Sequence, residues 1–286
     1  QDADKAQKYL SSQKTQNAPA ILLVPDTLAT LQHLASTYRD ELRKRNCTVI
    51  AVAGSNGKTT TRNLIHTLLA TKLAGSQSPK SFNNHIGVPL TLLAAGVNSE
   101  TSELPSDFVV VEVGTNHPGE LAALGAIVRP DVCVITSIGH EHMEFFKTLE
   151  GVAQEETSIL PFTSPNGLFV IDGDEPLLKT VTSHGPALLR FGMSNACDLR
   201  VTDIREQAHG SSFTLTQGSS TTEFFVPLLG RHNAHNAAAA IAIARWMDLD
   251  DETISQGLRG AKPVDMRLVV RTLGTGDQSI VLINDA

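Results

Sequence analysis

Thr48-Val-Ile-Ala-Val-Ala-Gly-Ser-Asn-Gly-Lys-Thr-Thr60 decides how this chain is read. Its first six residues form a continuous apolar run rich in β-branched side chains, which predicts a strand buried on both faces. Gly54 and Gly57 make the turn that follows, and a helix is predicted from Lys58 to about Lys72. Strand, glycine turn and helix without a spacer form the opening of a parallel βαβ unit.

The same pattern spreads outward. Apolar runs at 107–113, 131–136 and 167–172 read as further buried strands, with helical patterns at 118–127, 148–160 and 175–183 between them. Alternation of this kind predicts an α/β fold, a mostly parallel sheet flanked by helices. Upstream, Ala20–Val24 reads as a strand, and a helix capped by Asp26 or Thr27 runs to about Lys44. After about residue 186 the pattern changes. Short runs at 188–191, 199–204, 212–216 and 222–226, separated by turn residues, predict a small, mainly antiparallel sheet. Helices are expected at 233–247 and 251–258.

The 286 residues suggest about two domains. Net charge is −7, so the basic footprint of a nucleic-acid binder is absent. Arg43-Lys44-Arg45 is the densest basic cluster and reads as the solvated end of a helix. No apolar stretch reaches the roughly 18 residues of a membrane span. Cys47, Cys133 and Cys197 fit no metal or redox spacing, which favours a reducing, cytoplasmic setting. The start at Gln1 without Met, and an end just as a strand finishes, lead us to expect a piece of a longer protein.

Gly54-Ser-Asn-Gly-Lys-Thr-Thr60 has the chemistry of a phosphate loop. Glycines let the backbone wrap closely, so that the N–H groups of Gly54, Ser55, Asn56, Gly57 and Thr60 can face phosphates. The helix N-terminus adds positive potential. Lys58 is placed to reach β- and γ-phosphates, and the Thr59 hydroxyl to ligate Mg²⁺. Val52 stands where the longer G-x-x-x-x-G-K-T form needs glycine, which argues against the common kinase or GTPase loop. Glu112 ends the strand at 107–113, and His142 follows the strand at 131–136. Both should reach the sheet edge where α/β proteins bind ligands, and together they could hold a second divalent ion. His140 and Glu141 read as flanking residues.

These residues resemble the ATP loop of the Mur ligases, which build the peptide stem of peptidoglycan. Further similarity runs through Leu22–Leu28, Ser81–Leu93, Glu112–Glu120, Gly230–Asn236 and Ile283–Asp285, so it covers about residues 20 to 286. Within the family it is greatest to the branch that joins D-alanyl-D-alanine to UDP-N-acetylmuramoyl-tripeptide. The resemblance implies an ADP-forming amide ligase that uses ATP and Mg²⁺ and works as a cytoplasmic monomer, with no nucleic-acid or membrane partner. It implies that residues 1–40 are the tail of an N-terminal UDP-sugar domain and 41–286 the central ATP-binding domain, with the C-terminal domain absent.

Roles follow residue by residue. The resemblance implies that Lys58 and Thr59 serve phosphate and Mg²⁺, and that Glu112 and His142 bind a second Mg²⁺. Asn83 and Asn84 would lie near the nucleotide-sugar substrate. His232, Asn233 and Asn236 would line the adenine pocket, although Asn233 also reads as a helix N-cap. Arg267 would contact the γ-phosphate and Asp285 the ribose. Many Mur ligases carry a carbamylated lysine fourteen residues after the metal-binding histidine; Glu156 stands there in this chain. Its carboxylate either replaces the carbamate as a metal ligand or belongs to a helix surface. Three other readings stay open: a different Mur or folylpolyglutamate-type ligase, a P-loop kinase or NTPase, and a fragment that binds nucleotide without ligating anything.

Overall fold

The structure is a computed structural model that describes residues 5, 22–96, 106–264, 269–273 and 280–284, the last two stretches as backbone only. In chain order its elements begin with α1 (Thr27–Lys44), β1 (Thr48–Ala53), α2 (Lys58–Leu69), β2 (Gly75–Gln77), α3 (Gly87–Ala94) and β3 (Phe108–Glu112). Then come α4 (Glu120–Val128), β4 (Val132–Ile135), α5 (Met143–Phe146), α6 (Leu149–Thr157) and β5 (Leu168–Asp172). The rest are β6 (Ala187–Gly192), β7 (Leu199–Gln207), β8 (Gly210–Gln217), β9 (Ser220–Val226), α7 (Arg231–Trp246), α8 (Asp251–Arg259), β10 (Val269–Leu273) and β11 (Ile280–Asn284).

One nine-stranded sheet runs β2-β3-β1-β4-β5-β6-β7-β8-β9, and β10 and β11 form a separate antiparallel pair. Pairing is parallel from β2 through β7 and antiparallel from β7 to β9. β1 lies inside the sheet, so both of its faces are covered, and successive residues enter different cores. Ile50 and Val52 join a cluster with Leu64, Leu68 and the alanines of α7. Val49, Ala51 and Ala53 join one with Leu92, Leu121 and Leu124. A strand in that position needs apolar residues on both sides, hence its unbroken run.

Ala237, Ala238, Ala240, Ile241 and Ala244 of α7 are all buried, and α7 packs against α2. Small side chains let two helices sit close together on one face of the sheet. On the other face, α1 buries Ala35, Arg39 and Leu42. Arg39 donates to the carbonyl of Val128 at 3.0 Å and to the Asp131 carboxylate at 2.7 Å, tying α1 to the start of β4. α1 runs unbroken through residue 40, where a domain boundary is expected.

The α/β expectation is met, with local corrections. The antiparallel strands extend the main sheet instead of forming their own. β6, expected among them, pairs parallel to β5. The helix expected at 175–183 is only a 3₁₀ turn at Pro176–Leu178. Residues 22–24 form no strand, and residues 20 and 21 lie outside the described residues. α2 ends at Leu69, and β2 and α3 lie where no element is expected.

Candidate functional site

The turn between β1 and α2 needs both of its glycines. Gly54 has φ +112° and Gly57 φ +84°, a region that L side chains rarely enter. A Cβ on Gly54 would lie 2.4 Å from Thr136 Oγ1, and one on Gly57 2.5 Å from Asn236 Oδ1. The segment after β4 grips the turn. Ser55 N–H donates to the Ser137 carbonyl at 2.8 Å, Asn56 N–H to Ser137 Oγ at 3.0 Å, and Thr136 Oγ1 to the Asn56 carbonyl at 2.6 Å. α2 begins at Lys58 with no side-chain cap, so its positive end faces the turn. The Lys58 ammonium folds back, donating to the carbonyls of Gly54 and Ser55 at 2.5 and 2.9 Å. It lies 3.5 Å from Glu141 Oε1.

A cavity of about 480 Å³ opens in front of this turn. Residues 55–60 form part of its lining; Asn83, Glu112 and Glu141 form another; His232, Asn233 and Asn236 a third. Glu112, at the end of β3, is buried. Its two oxygens accept from Arg62 Nη1 at 2.9 Å and Asn83 Nδ2 at 3.2 Å. The first turn of α7 is a chain of amides: Asn233 Nδ2 donates to the Leu229 carbonyl at 2.8 Å, Asn236 Nδ2 to Asn233 Oδ1 at 3.2 Å, and Thr61 Oγ1 to Asn236 Oδ1 at 3.4 Å. Gly230, not Asn233, occupies the N-cap.

The cavity brings together the loop, Asn83, Glu112, His232, Asn233 and Asn236. It does not include His142 or Asn84. His142 is exposed and takes a left-handed φ of +50° to start α5, so it turns from the path of its neighbour, and Glu141 lines the cavity instead. Asn84 uses its Oδ1 to begin α3, accepting from the N–H groups of Ile86 at 3.1 Å and Gly87 at 2.9 Å. Arg267 and Asp285 lie outside the described residues.

Glu156 is neither on the cavity wall nor on the helix surface. It is 1% exposed, behind the loop, with Oε2 accepting from Gly54 N–H at 2.6 Å. Burial pushes its carboxyl up to about 7, with Lys58 and the Gly54 bond pulling against that shift and Glu141 adding to it. The neighbouring Glu155 is used elsewhere. It accepts from the N–H groups of Gly119 and Leu121 at 2.7 and 2.8 Å and so fixes the start of α4.

Sequence reading missed Glu141, Arg62, Ser81 and Lys262, which are neighbours of the site or line it. Arg62 could have been found, because it falls one turn after Lys58 on a helix that packs over the sheet. It also missed Asp172, Asp174 and His235, whose ligand atoms lie within 4.8 Å of one another and which do not line the cavity. There Asp174 accepts from Ser194 N–H at 2.9 Å, holding the turn after β6.

The sequence and the fold are matched by known proteins. Residues 52–244 match the Mur ligase middle domain. The UDP-N-acetylmuramoyl-tripeptide–D-alanyl-D-alanine ligase of Bacillus subtilis is 39% identical over 268 residues, which is 93% of this chain and 55% of that protein. A crystal structure of MurF from Acinetobacter baumannii superposes with a TM-score of 0.80 at 26% identity, over 96% of this chain and 58% of that one. MurF ligase from Thermotoga maritima in complex with ADP gives 0.76 at 27% identity, over 95% and 60%. The chain thus spans about half the length of the relatives it matches. With a cavity built from the glycine turn, the sheet edge and the start of α7, and with two thirds of its length matching, this chain belongs to the Mur ligase family and carries its middle domain.

Proposed function

We propose that this chain is the ATP-binding core of a ligase that joins D-alanyl-D-alanine to UDP-N-acetylmuramoyl-tripeptide. One observation carries the reading: Lys58 and Thr59 share a cavity with Glu112 and Asn83 on one side and with His232, Asn233 and Asn236 on the other. A polyphosphate in the turn would then have an amide-lined place for its base and an acidic sheet edge for the acceptor. The activity named for the relatives and the ADP complex of a neighbour support it.

Thr59, Glu112 and Glu141 offer oxygens to the same cavity, a donor set that suits Mg²⁺. Bound there, Mg²⁺ would offset charge on the phosphates. The ligation we propose is ordinary acyl activation. The tripeptide carboxylate attacks the γ-phosphorus, the bond to the ADP oxygen breaks, and ADP leaves. The amine of D-alanyl-D-alanine attacks the acyl phosphate carbonyl, loses a proton, and phosphate departs. Lys58 moves from the loop carbonyls to the phosphates and stabilises charge in the first step. Asn83 holds Glu112 in place. A cytoplasmic setting, where ATP is supplied, suits the reaction. No helix among the described residues is long and apolar enough to cross a membrane.

Two measurements test the reading. Calorimetry of this chain with ADP and Mg²⁺ should give one site. The complete gene product should release phosphate only when both the UDP-sugar tripeptide and D-alanyl-D-alanine are present. Release with D-alanyl-D-alanine replaced by glutamate or a diamino acid would move the protein to another ligase of the family. Nucleotide binding with no ligation by the complete product would favour a non-catalytic domain.

A further inference from the structure

Among the described residues, Glu156 is the carboxylate that reaches the phosphate turn from behind. It is 1% exposed, and its Oε2 accepts from the Gly54 amide at 2.6 Å. Gly54 has no room for a side chain: φ is +112°, and Thr136 Oγ1 stands 2.4 Å from where its Cβ would be. The peptide that follows it is held as well. Its carbonyl accepts from Lys58 Nζ at 2.5 Å, and the next amide, of Ser55, donates to Ser137 at 2.8 Å. The other oxygen of Glu156, Oε1, is buried with no partner. Glu141 is 3.5 Å from Lys58 and lines the cavity. α6 therefore sends one side chain through the core to touch the turn's first amide.

Resting on the ligase reading above, we infer that Glu156 is a positioning residue for the phosphate turn. It acts through Gly54 and does not ligate metal or touch nucleotide. An acceptor at Oε2 fixes the orientation of the Gly54 peptide. That in turn sets where the following amides point and where Lys58 starts from. The role needs a hydrogen-bond acceptor of the right length more than a charge. A glutamine fits: its amide oxygen accepts from Gly54, and the length of the side chain is unchanged. Alanine supplies neither and leaves Gly54 N–H buried and unpaired.

The experiment compares wild type, Glu156→Gln and Glu156→Ala in two ways. The first needs no ligand. The Gly54 amide, assigned by NMR, should be strongly protected from hydrogen exchange in wild type and Glu156→Gln, and should lose at least about tenfold of that protection in Glu156→Ala, the loss of one buried charge-assisted bond. The second is titration with ADP and with adenosine, each with Mg²⁺ and with EDTA. Glu156→Gln should bind ADP within about threefold of wild type in both buffers, while Glu156→Ala should weaken ADP by about tenfold or more and leave adenosine unchanged. The ratio of the two ligands separates a displaced phosphate turn from general loss of structure. A Gln variant that loses ADP affinity only with Mg²⁺ would make Glu156 a metal ligand and overturn the inference. So would an unprotected Gly54 amide in wild type, or equal ADP binding by all three proteins. Failure of wild type to bind ADP would overturn the ligase reading, and the exchange measurement would still decide whether Glu156 holds the turn.

Discussion

The amide oxygen of Asn236 stands 2.5 Å from the point a Cβ on Gly57 would occupy, so the phosphate turn and the first turn of α7 meet with no room for a methyl group. Gly57→Ala has two effects. It forces alanine into a left-handed φ of +84°, a cost of about 1–2 kcal/mol. It also pushes Asn236 off Thr61 and Asn233, at the wall of the cavity. We expect a stability loss of that size in urea denaturation, and ADP affinity down by more than tenfold in calorimetry. Unchanged ADP affinity would separate α7 from the nucleotide.

Lys58→Met keeps the aliphatic stem and removes the ammonium. If the lysine serves the transferring phosphate, phosphate release by the complete gene product should drop by about 10²–10³, the scale of one preorganised donor. ADP affinity should fall much less, because the backbone amides remain. Retained turnover would end the assignment.

The features legible in sequence are those that burial dictates. β1, β3, β4 and β5 lie inside a sheet covered on both faces, so each had to be a continuous apolar run. The turn at 54–57 was legible because its backbone demands glycine. β2 was not, since Gly75-Ser-Gln77 pairs along β3 with three residues and no apolar pattern. α3 is apolar on all sides, so it shows no helical period. The same short apolar run that read as an antiparallel strand at 188–191 pairs parallel to β5, a choice made by the crossover and not by composition. In the site, Glu141 and not His142 lines the cavity, and the positive φ of His142 beside it leaves no mark on residue type.

Arg62 and Glu112 form a buried ion pair, 2.9 Å apart with side chains 5% and 2% exposed. Arg62→Ala leaves the Glu112 carboxylate buried without its partner, which should cost on the order of 3–5 kcal/mol. The double variant Arg62→Met, Glu112→Leu should recover most of that stability in denaturant melts while remaining unable to support turnover. If the single variant loses under about 1 kcal/mol, the range of a solvated pair, water already reaches it.

Glu156 also gives stability a pH dependence. Burial raises its folded carboxyl to about 7 from an ordinary 4.5. Between those values the folded protein binds the extra proton, so unfolding free energy falls as pH rises from about 4.5 to 7 and levels off above. The sign is opposite to that of an ion-paired carboxylate, which stabilises as pH rises. The full effect is on the order of 3 kcal/mol for one site shifted by this amount. Glu156→Gln cannot ionise, so its stability relative to wild type should rise steadily through this window and be greatest near pH 8. Denaturation curves at pH 5, 6, 7 and 8 would show it; parallel pH profiles for the two proteins would mean that Glu156 ionises in the folded chain as it does unfolded.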